Sequence, residues 1–323
     1  MESFETPILS IVIPCYNCGD TLLSCVASIS DDDRIEVVLI DDCSTDRTPI
    51  LLKQYQKEMH RYSVVTASNS HNLGPGETRN TGIRLARGTY ITFLDSDDIL
   101  LPDACSILIE ELLREDVDCL FFDALMEKGE RVEHLSMFES AKMILHPVCR
   151  EIALVFGRGC TWGKVYRRSV IADNKICFPS LPIGEDAAFS KKAFAHCARF
   201  GYLAKPLYLY KDNPSSLMHN RSLLNENAYS IIFNSVVESL EREQFNDELN
   251  NLYYQLVVYP TIITMLRKGY STKECRKRYS ELIKGYKCPD KYYPAMTVKY
   301  RLAYHLFNLN FFWVVRNALN NSW

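Results

Sequence analysis

The stretch Thr89-Tyr90-Ile91-Thr92-Phe93-Leu94-Asp95-Ser96-Asp97-Asp98 carries a β-branched and aromatic strand straight into three acids within four residues. The same arrangement occurs twice upstream: Ile8 to Ile13 leads into Pro14-Cys15-Tyr16-Asn17, and Glu36 to Ile40 leads into Asp41-Asp42-Cys43-Ser44-Thr45-Asp46. Further strands are expected at Ser63 to Ala67 and Asp118 to Phe122. Helices are expected between them at Thr21 to Ile29, Pro49 to Met59, Gly76 to Ala86 and Pro102 to Arg114. Two of these open with Pro, whose missing N–H costs least in a first turn, and Gly88 fits a stop after the third. Short strands alternating with helical periodicity specify an α/β fold with a mostly parallel sheet. In such a sheet the three polar clusters gather at the carboxyl edge, where ligands bind at a topological switch point. Several carboxylates held together repel one another, so a bound cation or a ring of sugar hydroxyls is the compensating partner.

The 323 residues are 47% hydrophobic and 24% charged, which excludes disorder and coiled coil. Charge is unevenly spread: residues 1–259 hold 25 basic against 37 acidic side chains, and residues 260–323 hold 12 against 3. The start MESFETP lacks the basic flank, long apolar region and cleavage site of a secretory signal, so a cytoplasmic protein with reduced cysteines is expected. Of the 12 cysteines, Cys15 and Cys18 form a CxxC without a second ligand pair, which is weak support for metal or redox chemistry. From about 126 to 220 the periodicity is less regular, with Gly157, Gly159, Gly163 and Gly184 marking turns and a helical stretch at Glu185 to Cys197. Residues 221–270 then read as helical.

At this point the residues resemble a known family. Ser10-Ile11-Val12-Ile13-Pro14-Cys15-Tyr16-Asn17, Ile40 to Asp46, Asn72-Leu73-Gly74 with Arg79-Asn80-Thr81-Gly82, and Asp95-Ser96-Asp97-Asp98 resemble, in order, the nucleotide-binding half of family 2 glycosyltransferases. These are inverting enzymes of the GT-A fold, and the last cluster resembles their DxD element. Trp162-Gly163-Lys164-Val165-Tyr166 and Gly184-Glu185-Asp186-Ala187-Ala188-Phe189 resemble the family's acceptor-side motifs. The implied organisation is a GT-A domain over 1–220, with a nucleotide-binding half at 1–100 and an acceptor-side half at 101–220, followed by a helical, basic and aromatic region at 221–323.

The resemblance implies roles position by position. Tyr16 lies against a uracil face, Asp42 accepts a hydrogen bond from the base, Arg79 stands nearby and Pro14 lines the pocket, with Asn17 and Ser96 completing the nucleotide-sugar contacts. Base–aromatic stacking of this kind contributes about 1–3 kcal/mol. Asp95 meets ribose or metal, Asp97 ligates Mn2+ or Mg2+ bridging the diphosphate, and His219 is a further candidate metal ligand. Asp186 is the candidate base for a single in-line displacement. Trp162 and Glu185 are expected on the sugar or acceptor side; packing at Trp162 and favourable charge at a helix N-terminus for Glu185 and Asp186 are the plainer alternatives. Two positions depart from the family: Cys43 stands where Gly is common, and Thr78 where a small Ala is usual.

The expected activity is transfer of a sugar from a nucleotide donor, most readily UDP-linked, onto a glycan or lipid-linked glycan. A nucleotidyltransferase would want a glycine-rich, lysine-bearing phosphate loop, which the sequence lacks. A non-catalytic nucleotide- or glycan-binding relative would have no need of Asp186 beside Asp95 and Asp97. In the basic tail, Ala303, Phe307, Phe311, Val314 and Ala318 fall on one face of a helix expected from Lys299 to Leu319. That face suits either peripheral contact with an anionic membrane or packing on the catalytic domain or a second subunit of a homo-oligomer. No nucleic-acid-binding module accompanies the charge.

Overall fold

A computed structural model describes residues 6–58, 60–138, 148–181, 184–212, 226–237, 246–284 and 298–320. The chain divides into two compact units: Met1–Met137 with Pro147–Arg150 and Arg158–His219, and Phe138–His146 with Glu151–Gly157 and Asn220–Trp323.

The first unit contains the whole sheet. Its parallel core is β1 (Leu9–Cys15), β2 (Ile35–Asp41), β3 (Ser63–Ser68) and β4 (Tyr90–Phe93), in the order β3-β2-β1-β4. All seven residues of β2 and all four of β4 are buried, which is why these strands read as apolar runs without alternation. The crossovers are α1 (Leu22–Ala27), α2 (Thr48–Tyr55) and α3 (Pro75–Leu85). After the two-residue β5 (Ile99–Leu100) and α4 (Ala104–Arg114), β6 (Cys119–Lys128) enters the same sheet.

Residues 126–220, expected to be less regular apart from a helix at Glu185 to Cys197, carry that helix at Glu185–His196 and, in their described part, supply more of the sheet than their sequence suggests. Beyond β6 come β7 (Arg131–Leu135), α5 (Arg150–Phe156), which apart from Arg150 belongs to the second unit, β8 (Lys164–Arg167), α6 (Arg168–Asp173), α7 (Glu185–His196) and β9 (Phe200–Tyr210). β8 wedges antiparallel between β4 and β6, β9 runs parallel to β6, and β5 pairs antiparallel with β9. The β6–β9 ladder slips at Asp123, and such irregularities erase the alternation that a sequence reading relies on.

At the amino edge the buried Glu36 carboxylate is fully engaged. It accepts from Ser10 Oγ at 2.6 Å, Arg87 N at 2.7 Å and Arg87 Nε at 2.8 Å. Gly88, expected as a helix stop, has another reason to be Gly. α3 ends at Leu85 with Ala86 already extended, and a Cβ on Gly88 would lie 2.6 Å from Ser10 Oγ and 2.7 Å from Ser10 N. Close approach of the α3–β4 turn to β1, rather than a left-handed backbone, fixes this residue.

The second unit is helical: α8 (Glu226–Val237), α9 (Asn246–Tyr253), a π-helical turn at Tyr254–Val258, α10 (Tyr259–Arg267), α11 (Thr272–Leu282), α12 (Val298–Asn308) and α13 (Phe312–Asn320). The π turn stands just before Pro260, where the ring and missing N–H disrupt regular α-helical bonding. Ser271 and Glu274 close α11 with a reciprocal capping box. The single helix expected from 299 to 319 is two, broken at Asn310, whose φ is 63°. Ala303 and Phe307 pack with Tyr254, Tyr279 and Phe312 in this unit's own core, so that part of the expected face is internal. Phe311 lies exposed at the break, and no described helix is long and apolar enough to cross a membrane.

α3 lies close on β1. A Cβ added at Gly82 would sit 2.3 Å from Val12 Cγ1, inside a strand with no room to retreat. Gly82→Ala is therefore expected to cost about 1–3 kcal/mol through overpacking, measured as a lowered denaturation midpoint.

Candidate functional site

The carboxyl ends of β1, β2 and β4 bring the three polar clusters together. Asp42 N donates to Cys15 O at 2.8 Å. Asn17 bridges the first two loops: its N–H donates to Ser44 Oγ at 3.0 Å, and its Oδ1 accepts from Thr45 N at 2.8 Å. Asn17 is left-handed at φ 47°, a conformation that Asn tolerates better than most side chains. Its amide group is thus a loop tie in this structure. Tyr16 beside it is 50% exposed, an aromatic face open to solvent at the sheet edge. Cys15 and Cys18 are buried; the Cys15 thiol donates to Ile13 O at 3.6 Å, and Cys18 Sγ accepts from Thr48 Oγ1 at 3.7 Å.

Asp42 is 3% exposed, and its carboxylate is already engaged. Oδ1 accepts from Asn69 Nδ2 at 2.8 Å and Leu73 N at 2.9 Å, and Oδ2 accepts from Gly74 N at 2.9 Å. The loop that opens α3 is thereby hung on the end of β2. Thr78, one of the family departures, serves the same loop: its Oγ1 donates to Gly74 O at 2.8 Å and accepts from Asn69 Nδ2 at 3.1 Å. Cys43, the other departure, has φ 60°, which explains why Gly suits that position.

Arg79 projects from α3 into the centre of the site. Its side chain is 5% exposed, with Nη2 bonding Asp95 Oδ1 at 2.7 Å, Nη1 bonding Asp186 Oδ1 at 3.0 Å and Nη1 3.7 Å from Glu185 Oε1. One guanidinium therefore joins the loop after β4 to the first turn of α7. Below it lies an aromatic floor. Phe178 and Phe189 stack at 4.0 Å, Phe93 meets both edge-on, and the Arg79 guanidinium sits 5.6 Å from the Phe178 ring centroid. Asn80, not expected to act, clamps this floor: its Nδ2 donates to Phe178 O at 2.9 Å, and its Oδ1 accepts from Phe178 N at 2.8 Å.

Charge in this cluster is unbalanced toward acid. Burial opposes the charge on Arg79, but Asp186, Asp95 and Glu185 together hold its pKa above the ordinary guanidinium value. Burial raises Asp186 above the usual carboxylate range, against the pull of Arg79. Glu185 is pushed up to about 7, first by burial and then by Asp186. Asp98 is pushed up to about 8 by burial and by the Asp95 and Asp97 carboxylates; it accepts from Tyr208 OH at 2.6 Å and Lys211 N at 2.8 Å. This carboxylate crowding, built from hard oxygen donors, suits a divalent cation. Among the described residues no group of three or more potential metal-ligating side chains forms a ready cage. Asp95 and Asp97 are the available donors, a set that would leave coordination positions for diphosphate and water.

Trp162, expected on the sugar or acceptor side, is 7% exposed and stacks on Tyr208 at 5.1 Å and 12°, with Tyr210 at 5.7 Å. Its ring is therefore packed rather than presented as an open platform. Pro14 lies within β1 opposite Ile40, and His219 lies outside the described residues.

The Glycosyl transferase family 2 pattern matches residues 10–173. The putative glycosyltransferase EpsH of Bacillus subtilis is 28% identical over 86% of this chain and 82% of its own length. The poly(ribitol-phosphate) β-N-acetylglucosaminyltransferase TarS of Staphylococcus aureus is 27% identical over 76% of this chain but only 44% of its own. The structure of TarS residues 1–349 with UDP-GlcNAc superposes with a TM-score of 0.69 at 21% identity, covering 95% of this chain and 89% of that one. The mannosyltransferase PcManGT of Pyrobaculum calidifontis, with GDP-Man and Mn2+, superposes with a TM-score of 0.57 at 14% identity, covering 98% and 88%. At these identities the structural likenesses establish the GT-A fold.

Cys43→Gly is expected to stabilise the protein by about 1 kcal/mol, because Gly relieves the left-handed backbone at a modest cost in chain entropy. Chemical denaturation of the two proteins measures it.

Proposed function

Since the chain belongs to glycosyl transferase family 2 and is a glycosyltransferase, we propose that it transfers a sugar from a UDP-linked donor to a glycan or lipid-linked glycan, with inversion at the anomeric carbon. The observation that carries this reading is the buried Arg79, which ties Asp186 to Asp95 at the carboxyl edge of the sheet. The candidate base and the diphosphate-facing loop thereby share one anchor. TarS, whose structure is known with UDP-GlcNAc and with UDP, supports the choice of a uridine nucleotide.

In this mechanism Tyr16 offers its exposed ring to the base. Asp42 has one acceptor direction left beyond its three loop bonds, enough for a single ring N–H. The Asp186 side chain is 30% exposed, within reach of an incoming hydroxyl. With Oδ1 held by Arg79, Oδ2 takes the acceptor proton as the acceptor oxygen attacks the anomeric carbon from the side opposite the nucleotide. The bond from anomeric carbon to phosphate oxygen breaks, its electron pair leaves with UDP, and no covalent sugar–enzyme species forms. Asp95 and Asp97 would hold Mn2+ or Mg2+, which when bound screens the charge gathering on the diphosphate. Ser96 and Glu185 belong to the same proposed donor and acceptor surroundings. Peripheral attachment to the cytoplasmic face of an anionic membrane fits the basic second unit, where Leu309, Phe311 and Trp313 are exposed near the α12–α13 break. Self-association through that surface is the competing arrangement.

One UDP-sugar is expected to raise the melting temperature in the presence of Mn2+, since ligand binding to the folded state stabilises by mass action. Asp186→Asn should keep that shift and lose UDP release by about 100-fold or more; near-wild-type turnover would remove Asp186 as the base. A base works only when deprotonated, and Asp186 has a raised pKa. Activity should therefore fall with decreasing pH through a limb lying above the ordinary carboxylate range, read from kcat/KM for UDP release.

A further inference from the structure

Lys164 is a buried charge that the mechanism above does not use. The residue is 0% exposed, and among the described residues its ammonium meets carbonyls and sulfurs rather than a carboxylate: Nζ donates to Cys160 O at 2.7 Å and to Trp162 O at 3.2 Å, with Cys160 Sγ at 3.5 Å and Met137 Sδ at 3.9 Å. The Phe121 ring lies 5.7 Å away. An ammonium taken out of water is costly unless something compensates it, and two carbonyl dipoles with two weakly accepting sulfurs are a small return.

The segment it holds explains the expense. Residues 159–162 lie directly against the first turn of α7. A Cβ on Gly159 would stand 2.8 Å from Ala187 Cβ and 2.9 Å from Ala187 Cα, the residue next to Asp186. One turn further along α7, Ser190 Oγ donates to Cys160 O at 3.1 Å, the carbonyl that Lys164 also holds, and Ser190 Oγ is 3.2 Å from Tyr166 OH. Loop, strand and helix therefore meet at one carbonyl. Lys164 and the Thr161 amide both favour the ionised form of Asp186.

We propose that Lys164 is a positioning residue for Asp186: its ammonium draws the 160–162 carbonyls inward, seats that loop against the first turn of α7, and places a fixed positive charge behind the carboxylate. The inference rests on Asp186 acting as base. It assigns work to Lys164 within the Trp162-Gly163-Lys164 stretch, which the family resemblance places on the acceptor side without a role for the lysine.

The test compares Lys164→Met, Asp186→Asn and the double variant, with UDP-N-acetylglucosamine and Mn2+ as the donor probe and UDP release as the readout. Lys164→Met should lower kcat by about 10–100-fold while donor KM stays within about threefold, the split expected when ground-state binding is preserved. In the Asp186→Asn background the same change should cost less than about threefold, because residues acting as one unit are non-additive. Equal losses in both backgrounds would overturn the proposal. Near-normal turnover in Asp186→Asn alone would instead overturn the base assignment, so the two failures are distinct. If Lys164→Met does not fold, Ser190→Ala removes the second donor to Cys160 O and should give a smaller kcat loss with the same KM pattern. Hydrogen exchange supplies a readout independent of donor choice. Lys164→Met or Ser190→Ala should speed exchange in peptides covering 158–163 and 184–190 while the β1–β2 peptides hold; uniform acceleration, or none in 184–190, would reduce Lys164 to a stability residue.

Discussion

The acids of the site are tied together by one buried guanidinium. Arg79 is nearly inaccessible, yet it faces Asp95, Asp186 and Glu185, so one positive charge is divided among three acids carried by two separate segments. Removing it would leave acids facing one another in a partly dry cleft, where one-sided loss of a buried pair costs several kcal/mol. The floor of Phe178, Phe189 and Phe93, and the Asn80 clamp beneath it, hold the guanidinium where it can reach both segments. Burial, and after it the neighbouring carboxylates, push Asp98 and Glu185 toward protonation, and the excess of acid in the cluster favours a cationic ligand.

Much of this was legible in the chain itself. The strand ends at Asn17, Asp42 and Asp95 converge because parallel strands β1, β2 and β4 share a direction, and that follows from alternating strand and helix patterns. The contact between Arg79 and Asp186 was less accessible. It spans 107 positions, and nothing local to either residue names the other. Asn80 stands in the motif that carries the resemblance, but its clamp on Phe178 spans 98 positions and has no local signal. Strands β7 and β8 escaped, and of β9 only the tyrosine-rich end at Tyr208 to Tyr210 was legible: β7 is exposed along nearly its whole length, β8 is four residues long and mostly buried, and β9 slips in register against β6, so none shows a clean period of two. The expected long helix near the end failed at Asn310, a residue able to turn left-handed without the help of Gly or Pro.

The departures from the family pattern are absorbed locally. Thr78 brings a hydroxyl where a methyl is usual and spends it on Gly74 O and Asn69, tightening the loop that opens α3. Cys43 keeps the left-handed turn that Gly would adopt freely. The hydrogen bonds of Thr78 and Cys43 run to Gly74, Asn69 and Ser70, whereas Arg79 forms its ion pairs with Asp95 and Asp186.

Asp42 holds the loop of Asn69, Leu73 and Gly74 with three of its acceptor positions, while Tyr16 stands half in solvent with its ring unencumbered. These two residues offer evolution very different freedom. Replacing Asp42 disturbs the architecture before any nucleobase is consulted, so selection at that position is dominated by foldability. Tyr16 can be exchanged with little structural consequence. A lineage drifting toward a different nucleotide would therefore accumulate its changes at the exposed ring and leave the buried carboxylate untouched.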